Sequence, residues 1–156
     1  MAYYDKISAG YTELHRDEQL RKAAIVKSFI PKSAKMVLDV GCGPSFADWG
    51  GRTVGIDISF GLLSRSKAIR VQGKAEHLPF KNQVFDAVVS ITAIQNFSKI
   101  RQAVREISRV SRDFVAITYL KKSKKATLIE RCIREFFLIE KKIIEDKDII
   151  IVAKKL

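Results

Sequence analysis

Cysteine and histidine are scarce in this sequence, with two of each among 156 residues. Cys42 sits between two glycines, Cys132 lies in a helical pattern, and no C-x-x-C spacing exists. No zinc site or disulfide framework can be argued from that set, and the thiols read as small apolar fillers. His15 and His77 read as surface or packing residues before they read as bases. No apolar run reaches the ~20 residues of a membrane span. Met1–Asp5 opens as a polar segment, unlike a signal peptide. These absences predict a soluble, cytoplasmic protein with no membrane contact and no metal. Repeats, low-complexity stretches and linkers are also missing, so residues 1–156 are expected to form one domain.

Negative charge is in short supply too: 17 acidic residues stand against 29 basic ones, for a net charge of +12. The excess concentrates in residues 99–156, which hold 16 basic and 8 acidic side chains. A polyanion, most commonly nucleic acid, is the partner such a surface fits; a Lys-rich solubilising surface is the plainer alternative.

Apolar periodicity supplies the elements. Residues 12–30 pattern as a helix with Leu14, Leu20, Ala23, Ala24, Val26, Phe29 and Ile30 inward, stopped by Pro31. Strands follow at Met36–Val40, Thr53–Ile58, Ile69–Gln72, Val84–Ile91 and Phe114–Leu120. Between them fall a helical stub at Ser45–Trp49 and helices at Gly61–Lys67, Lys99–Ser111 and Ala126–Phe137. The tail, Leu138–Ile144 and Asp148–Lys154, patterns as an antiparallel hairpin. Strand–helix alternation implies an α/β, Rossmann-like, doubly wound and mostly parallel sheet. It divides into an N-terminal helix (12–30), a core (35–120) and a C-terminal helix and hairpin (126–155).

One stretch carries most of the chemistry. Val37-Leu38-Asp39-Val40-Gly41-Cys42-Gly43 is a buried-strand run that ends in an acid and breaks into two glycines. Glycine there allows positive φ and close approach of a ligand to the backbone. Thr53–Ile58 ends in a second acid, Asp57, at the distance a neighbouring strand requires. The pair points to a ligand with a ribose. A third glycine, a full crossover helix and a phosphate-binding lysine are all missing, which argues against a pyrophosphate or P-loop ligand.

Four segments in order, Val37–Gly43, Val54–Ser59, Gly73–Phe80 (G-K-A-E-H-L-P-F) and Phe85–Ser90, resemble motifs I to IV of class I S-adenosylmethionine-dependent methyltransferases. They are most similar to the methyltransferase type 11 group. The resemblance implies the seven-stranded sheet of that fold, ending in a C-terminal antiparallel hairpin, with S-adenosylmethionine as cofactor and S-adenosylhomocysteine as product. It also implies roles. Gly41 and Gly43 approach the methionine and ribose portions, and Asp39 faces the ammonium or sulfonium charge from beneath. Asp57 accepts the ribose hydroxyls, and Ile58 lies on the adenine face. Ala75 and Glu76 border the adenine edge, Ile91 and Thr92 line the methionine side, and Tyr4 and Tyr11 form a lid. Lys74 and Pro44 depart from the family pattern, the first standing where the group usually has an acid.

Methyl transfer is in-line displacement, so alignment dominates and a base is needed only when the nucleophile carries a proton. Ile91–Phe97 offers Gln95 and Asn96, amides that position without deprotonating. A ring nitrogen such as purine N7, or a carboxylate, is the nucleophile this suits. The segment is similar to one in guanine-N7 methyltransferases of small-subunit ribosomal RNA, and near that of wobble-uridine methyl-ester enzymes of tRNA. Both groups work with a small zinc-binding activator on the third-strand edge, which the resemblance implies here. Arg101, Arg105, Arg109 and Arg112 form a helical stripe, and Lys121, Lys122, Lys124 and Lys125 follow strand five. Phosphate contacts from these residues would place RNA near the cofactor. A small-molecule methyltransferase and a non-catalytic cofactor-binding subunit are the alternatives.

Overall fold

The computed structural model describes residues 8–44, 47–59, 61 and 69–156, with side chains described from residue 16 on. Helix α1 (Ser8–Phe29) is followed by β1 (Met36–Val40), β2 (Arg52–Asp57), β3 (Ile69–Gln72) and β4 (Phe85–Ile91). A 3-10 turn (Ile94–Asn96) leads into α2 (Ile100–Val110), β5 (Ser111–Leu120), α3 (Ala126–Phe136), β6 (Phe137–Glu145) and β7 (Asp148–Lys155). The strands form one seven-stranded sheet in the order β3-β2-β1-β4-β5-β7-β6. Neighbours from β3 to β5 pair in parallel, whereas β7 pairs antiparallel with both β5 and β6. This is the class I methyltransferase fold.

Alternation along the central strands decides which layer each side chain joins. Val37, Ala87, Val89 and Ala116 pack under α1 with Ala23, Val26 and Ile30. Leu38, Val40, Val88 and Ile117 pack instead against α2 and α3 through Val104, Ile107, Ile129 and Ile133. Because both faces are covered, β1 and β4 are apolar almost throughout. Ile100, Val104, Ile107 and Val110 are all buried, as their spacing implies. Truncating one such side chain, Ile107→Ala, would cost about 2–5 kcal/mol.

The boundaries differ in instructive ways. α1 starts at Ser8, ahead of residue 12, and ends at Phe29. Of its expected inward residues Ala23, Val26 and Ile30 are buried, but Leu20 is 37% exposed and Ala24 is exposed, whereas Lys22 is 2% exposed. Apolar content alone could not show that a lysine would be carried inward by partners remote in sequence. β5 begins at Ser111 directly after α2, and β6 at Phe137 directly after α3, with no connecting loop. Ala47–Trp49 is not helical; Trp49 is instead 2% exposed and packed under the sheet, a burial that draws the chain out of a helix. Ser45 and most of the Gly61–Lys67 helix lie outside the described residues.

Candidate cofactor and acceptor site

The carboxyl ends of β1, β2 and β4 meet on one rim, with β1 central to the three. After β1 the chain turns through Gly41 (φ +71°) and Gly43 (φ +52°). Gly41 N–H and Cys42 N–H both donate to Ile56 O, at 2.8 and 3.1 Å, so the turn is tied to β2. A side chain at residue 41 has no room: a Cβ there would lie 2.6 Å from Ala93 Cβ. Glycine is therefore demanded twice, by conformation and by the close approach of the segment after β4.

Asp57 is the knot of this rim. Its Oδ2 accepts from Gly43 N–H at 2.9 Å and its Oδ1 from Ser59 N–H at 2.8 Å. Its carbonyl accepts from Gly73 N–H at 3.0 Å, drawing in the chain beyond β3. A carboxylate can accept hydrogen bonds side by side on its two oxygens, the geometry that suits a pair of hydroxyls. Asp39, beneath the same turn, is 5% exposed and accepts from Trp49 Nε1 at 3.1 Å. Burial pushes its carboxyl up to about 7, the Trp49 bond opposes that, and the nearby Asp57 charge adds to it. The two acids thus set a negative centre inside a strongly basic chain, at a spot suited to a cation. Cys42, between the glycines, is driven upward by burial and then by both aspartates, so it stays a thiol.

Ile58 follows β2 half-buried, and its carbonyl accepts from Gln72 Nε2 at 3.2 Å. Ala75 is buried beside Leu78. Glu76 is also buried, but its carboxylate is occupied: Oε2 accepts from Ser98 Oγ at 2.8 Å and from Lys99 N–H at 3.1 Å. Burial would raise this carboxyl, and the Lys99 and Ser98 donors more than offset it, so it titrates below the ordinary range. Glu76 therefore secures the entry to α2, and its carbonyl accepts from Gln102 Nε2 at 3.0 Å while Lys74 O accepts from His77 N–H at 3.2 Å. Tyr4 lies outside the described residues, as does the side chain of Tyr11.

Ile91, the last residue of β4, is half-buried, and Thr92 just beyond takes φ +50°, a rare conformation for a β-branched residue. Gln95 and Asn96 occupy the 3-10 turn that follows. Gln95 Nε2 donates to Thr92 O at 3.0 Å. A carbonyl can only accept, so this bond fixes the amide and turns its own oxygen, Oε1, the other way. That oxygen is buried with no donor among the described residues.

The basic stripe on α2 is largely spent. Arg109 donates to Glu106, Leu78 O, Phe80 O and Asn82 Oδ1 at 2.6–3.2 Å, clamping the 78–82 loop to α2. Its donors are committed, which removes it from the residues expected to contact RNA. Arg112, expected on the helical stripe, lies instead in β5, which starts as soon as α2 ends, and bonds Gln83 O and Asp86; Arg101 pairs with Glu135 while lying 5.6 Å over the Phe136 ring. Lys121, Lys122, Lys124 and Lys125 differ. All four are exposed after β5, and none forms an ion pair among the described residues. Among the described residues no His, Cys, Asp and Glu cluster could hold a metal, and no helix is long and apolar enough to cross a membrane.

Sequence reasoning missed Trp49, the partner of Asp39, and a buried group around Lys22 described below. For Lys22 a signal existed: it lies four residues before Val26, eight before Ile30, on the buried face.

Comparison with known proteins agrees with this geometry. Residues 38–114 match the family model described as methyltransferase domain. An uncharacterized protein of Methanocaldococcus jannaschii is 34% identical over 119 residues, covering 71% of this chain and 47% of that protein. Demethylmenaquinone methyltransferase of Thermobifida fusca is 32% identical over 131 residues, covering 71% of this chain and 56% of that one. The chain spans about half the length of the curated relatives it matches. Among solved structures, a chain from the Haloferax volcanii complex of the Trm112 methyltransferase activator with a methyltransferase superposes with a TM-score of 0.84 at 15% identity, covering 97% of each chain. Over residues 38–114 the chain thus matches the methyltransferase domain family, and its sheet has the class I methyltransferase fold.

Proposed function

We propose that this chain is an S-adenosylmethionine-dependent methyltransferase acting on RNA or a component of the translation machinery. The observation that carries the reading is the rim itself: a two-glycine turn flanked by Asp39 and Asp57, with Gly43 N–H and Ser59 N–H already ordering the Asp57 carboxylate. When bound, the cofactor supplies a methyl group on a cationic sulfur, which leaves as a neutral thioether once the acceptor's lone pair has displaced it. Asp57 receives the ribose hydroxyls. Asp39 supplies the counter-charge. The backbone of Gly41 and Gly43 bounds the methionine side together with Ile91 and Thr92, and Ile58, Ala75 and the main chain at Glu76 bound the adenine.

Gln95 and Asn96 position the acceptor. A ring nitrogen or a carboxylate needs no base. The uncommitted lysines at 121–125, with Arg105, supply phosphate contacts that hold RNA without reading its sequence. The exposed strand β3 ends the sheet and gives an activator subunit an edge on which to pair. The likeness to the Haloferax volcanii chain favours that arrangement.

A second reading, a small-molecule methyltransferase, is favoured by the likeness to demethylmenaquinone methyltransferase. Salt separates the two. RNA affinity should fall steeply between about 50 and 200 mM salt, with a slope set by the phosphates contacted. Salt-independent binding of a neutral acceptor would favour the second reading.

A further inference from the structure

A buried polar group joins α1, β4, β5 and β7 behind the acceptor segment. Lys22 Nζ, on a side chain 3% exposed, donates to Thr92 Oγ1 at 2.6 Å and to Asp148 Oδ1 at 3.4 Å. Glu18 Oε1, one turn earlier in α1, lies 3.7 Å from the same nitrogen. Thr92 Oγ1 donates to Asp148 Oδ2 at 2.6 Å and lies 3.1 Å from Thr118 Oγ1. Thr118 in turn accepts the Thr92 N–H twice, on its carbonyl at 3.1 Å and its hydroxyl at 2.8 Å.

Every donor and acceptor of Thr92 is thereby used, and the residue is held at φ +50°. A β-branched residue stays in that conformation only where its surroundings over-determine it. Here the surroundings are an ion pair between α1 and the first residue of β7. Thr92 O is also the anchor of Gln95 Nε2, so what fixes Thr92 fixes the amide.

A buried ion pair is a poor device for stability, since apolar residues of like volume usually do as well. Specification of one geometry is what such a pair supplies.

We propose that Lys22 and Asp148 are positioning residues for the methyl-transfer site: through the Thr92 hydroxyl they lock the Ile91–Asn96 rim in the conformation that receives the cofactor's methionine end and aims Gln95. This rests on the proposed cofactor site. It goes further in making the docking of α1 a condition for a competent rim. α1 and β7 thus enter the site without touching ligand.

The test uses the single tryptophan, Trp49, whose indole is bonded to Asp39 at the rim, as the reporter for titration with S-adenosylmethionine. Lys22→Met alone strands the Asp148 charge and should lower the melting temperature on the order of 10 °C. The double variant Lys22→Met with Asp148→Leu strands neither charge and should melt near the wild type, yet bind the cofactor about tenfold or more weakly. Thr92→Val, which keeps the ion pair and removes the hydroxyl, should show the same loss. Recovered stability without recovered affinity separates positioning from packing. Wild-type affinity in the folded double variant, or in folded Thr92→Val, would overturn the proposal. A wild-type protein that gives no response would instead sink the cofactor site on which it rests.

Discussion

Replacing Asp39 with asparagine separates what stabilises this fold from what equips its site. The carboxyl, ordinarily at 3.8, is pushed up to about 7 chiefly by burial. That displacement corresponds to roughly 4 kcal/mol between the protonation states. Relaxation and residual denatured-state structure reduce that to about 2 kcal/mol. The sign follows from proton binding. Between these two values the folded protein keeps a proton that the unfolded chain has released. The associated stability is therefore full at low pH, declines as pH rises through the window, and is gone above about 7. Asparagine cannot ionise, and its oxygen still accepts from Trp49 Nε1. The advantage of Asp39→Asn over the wild type should thus grow across the window to about 2 kcal/mol at pH 8, or about 4–8 °C in melting temperature. Cofactor affinity should move oppositely. Wild-type affinity for the cationic cofactor should weaken as pH drops below about 7 and Asp39 takes up its proton, whereas the variant should bind about tenfold more weakly and without that dependence. Calorimetric melting and titration at several pH values read both effects. A difference in melting temperature that does not change with pH, or a variant less stable than the wild type at pH 8, would refute the reasoning.

Further outcomes follow from the same coordinates. Gly41→Ala forces a Cβ to within 2.6 Å of Ala93 Cβ at φ +71°, so it should cost about 2–4 kcal/mol and impair cofactor binding, measured by denaturant melts and titration. Arg109→Ala should destabilise the protein by about 2–3 kcal/mol through the released 78–82 loop, while leaving RNA affinity at the wild-type level. Lys124→Ala combined with Lys125→Ala should do the reverse: unchanged melting, weaker RNA binding and a salt slope shallower by about 2 in filter-binding titrations.

The strand pattern was legible because parallel strands covered on both faces must be largely apolar, as Val37, Leu38, Val40 and Ala87–Val89 are. The hairpin and the α2 face were readable for the same reason of period. The inward turn of Lys22 on α1 was only half legible: its spacing to Val26 and Ile30 puts it on the buried face, but its partners Asp148 and Thr92 stand 126 and 70 residues away, beyond any local pattern. Gly41, Gly43 and the two aspartates announced themselves by chemistry and order. The burial of Trp49 against Asp39 did not, since an indole between two glycine-rich turns gives no sign of which acid it will meet. Charge was legible in amount but not in availability. Arg101, Arg109 and Arg112 look in sequence like the lysines at 121–125, yet folding commits their guanidinium groups to Glu135, Glu106 and Asp86.

The central claim is that a ribose-bearing cation lies across the tips of β1 and β2, held by Asp57. Isothermal titration of S-adenosylmethionine into the wild type and into Asp57→Ala, each shown to be folded by its melting curve, tests it most directly. One-site binding by the wild type and none by the variant is the predicted result; equal affinity in both would contradict it.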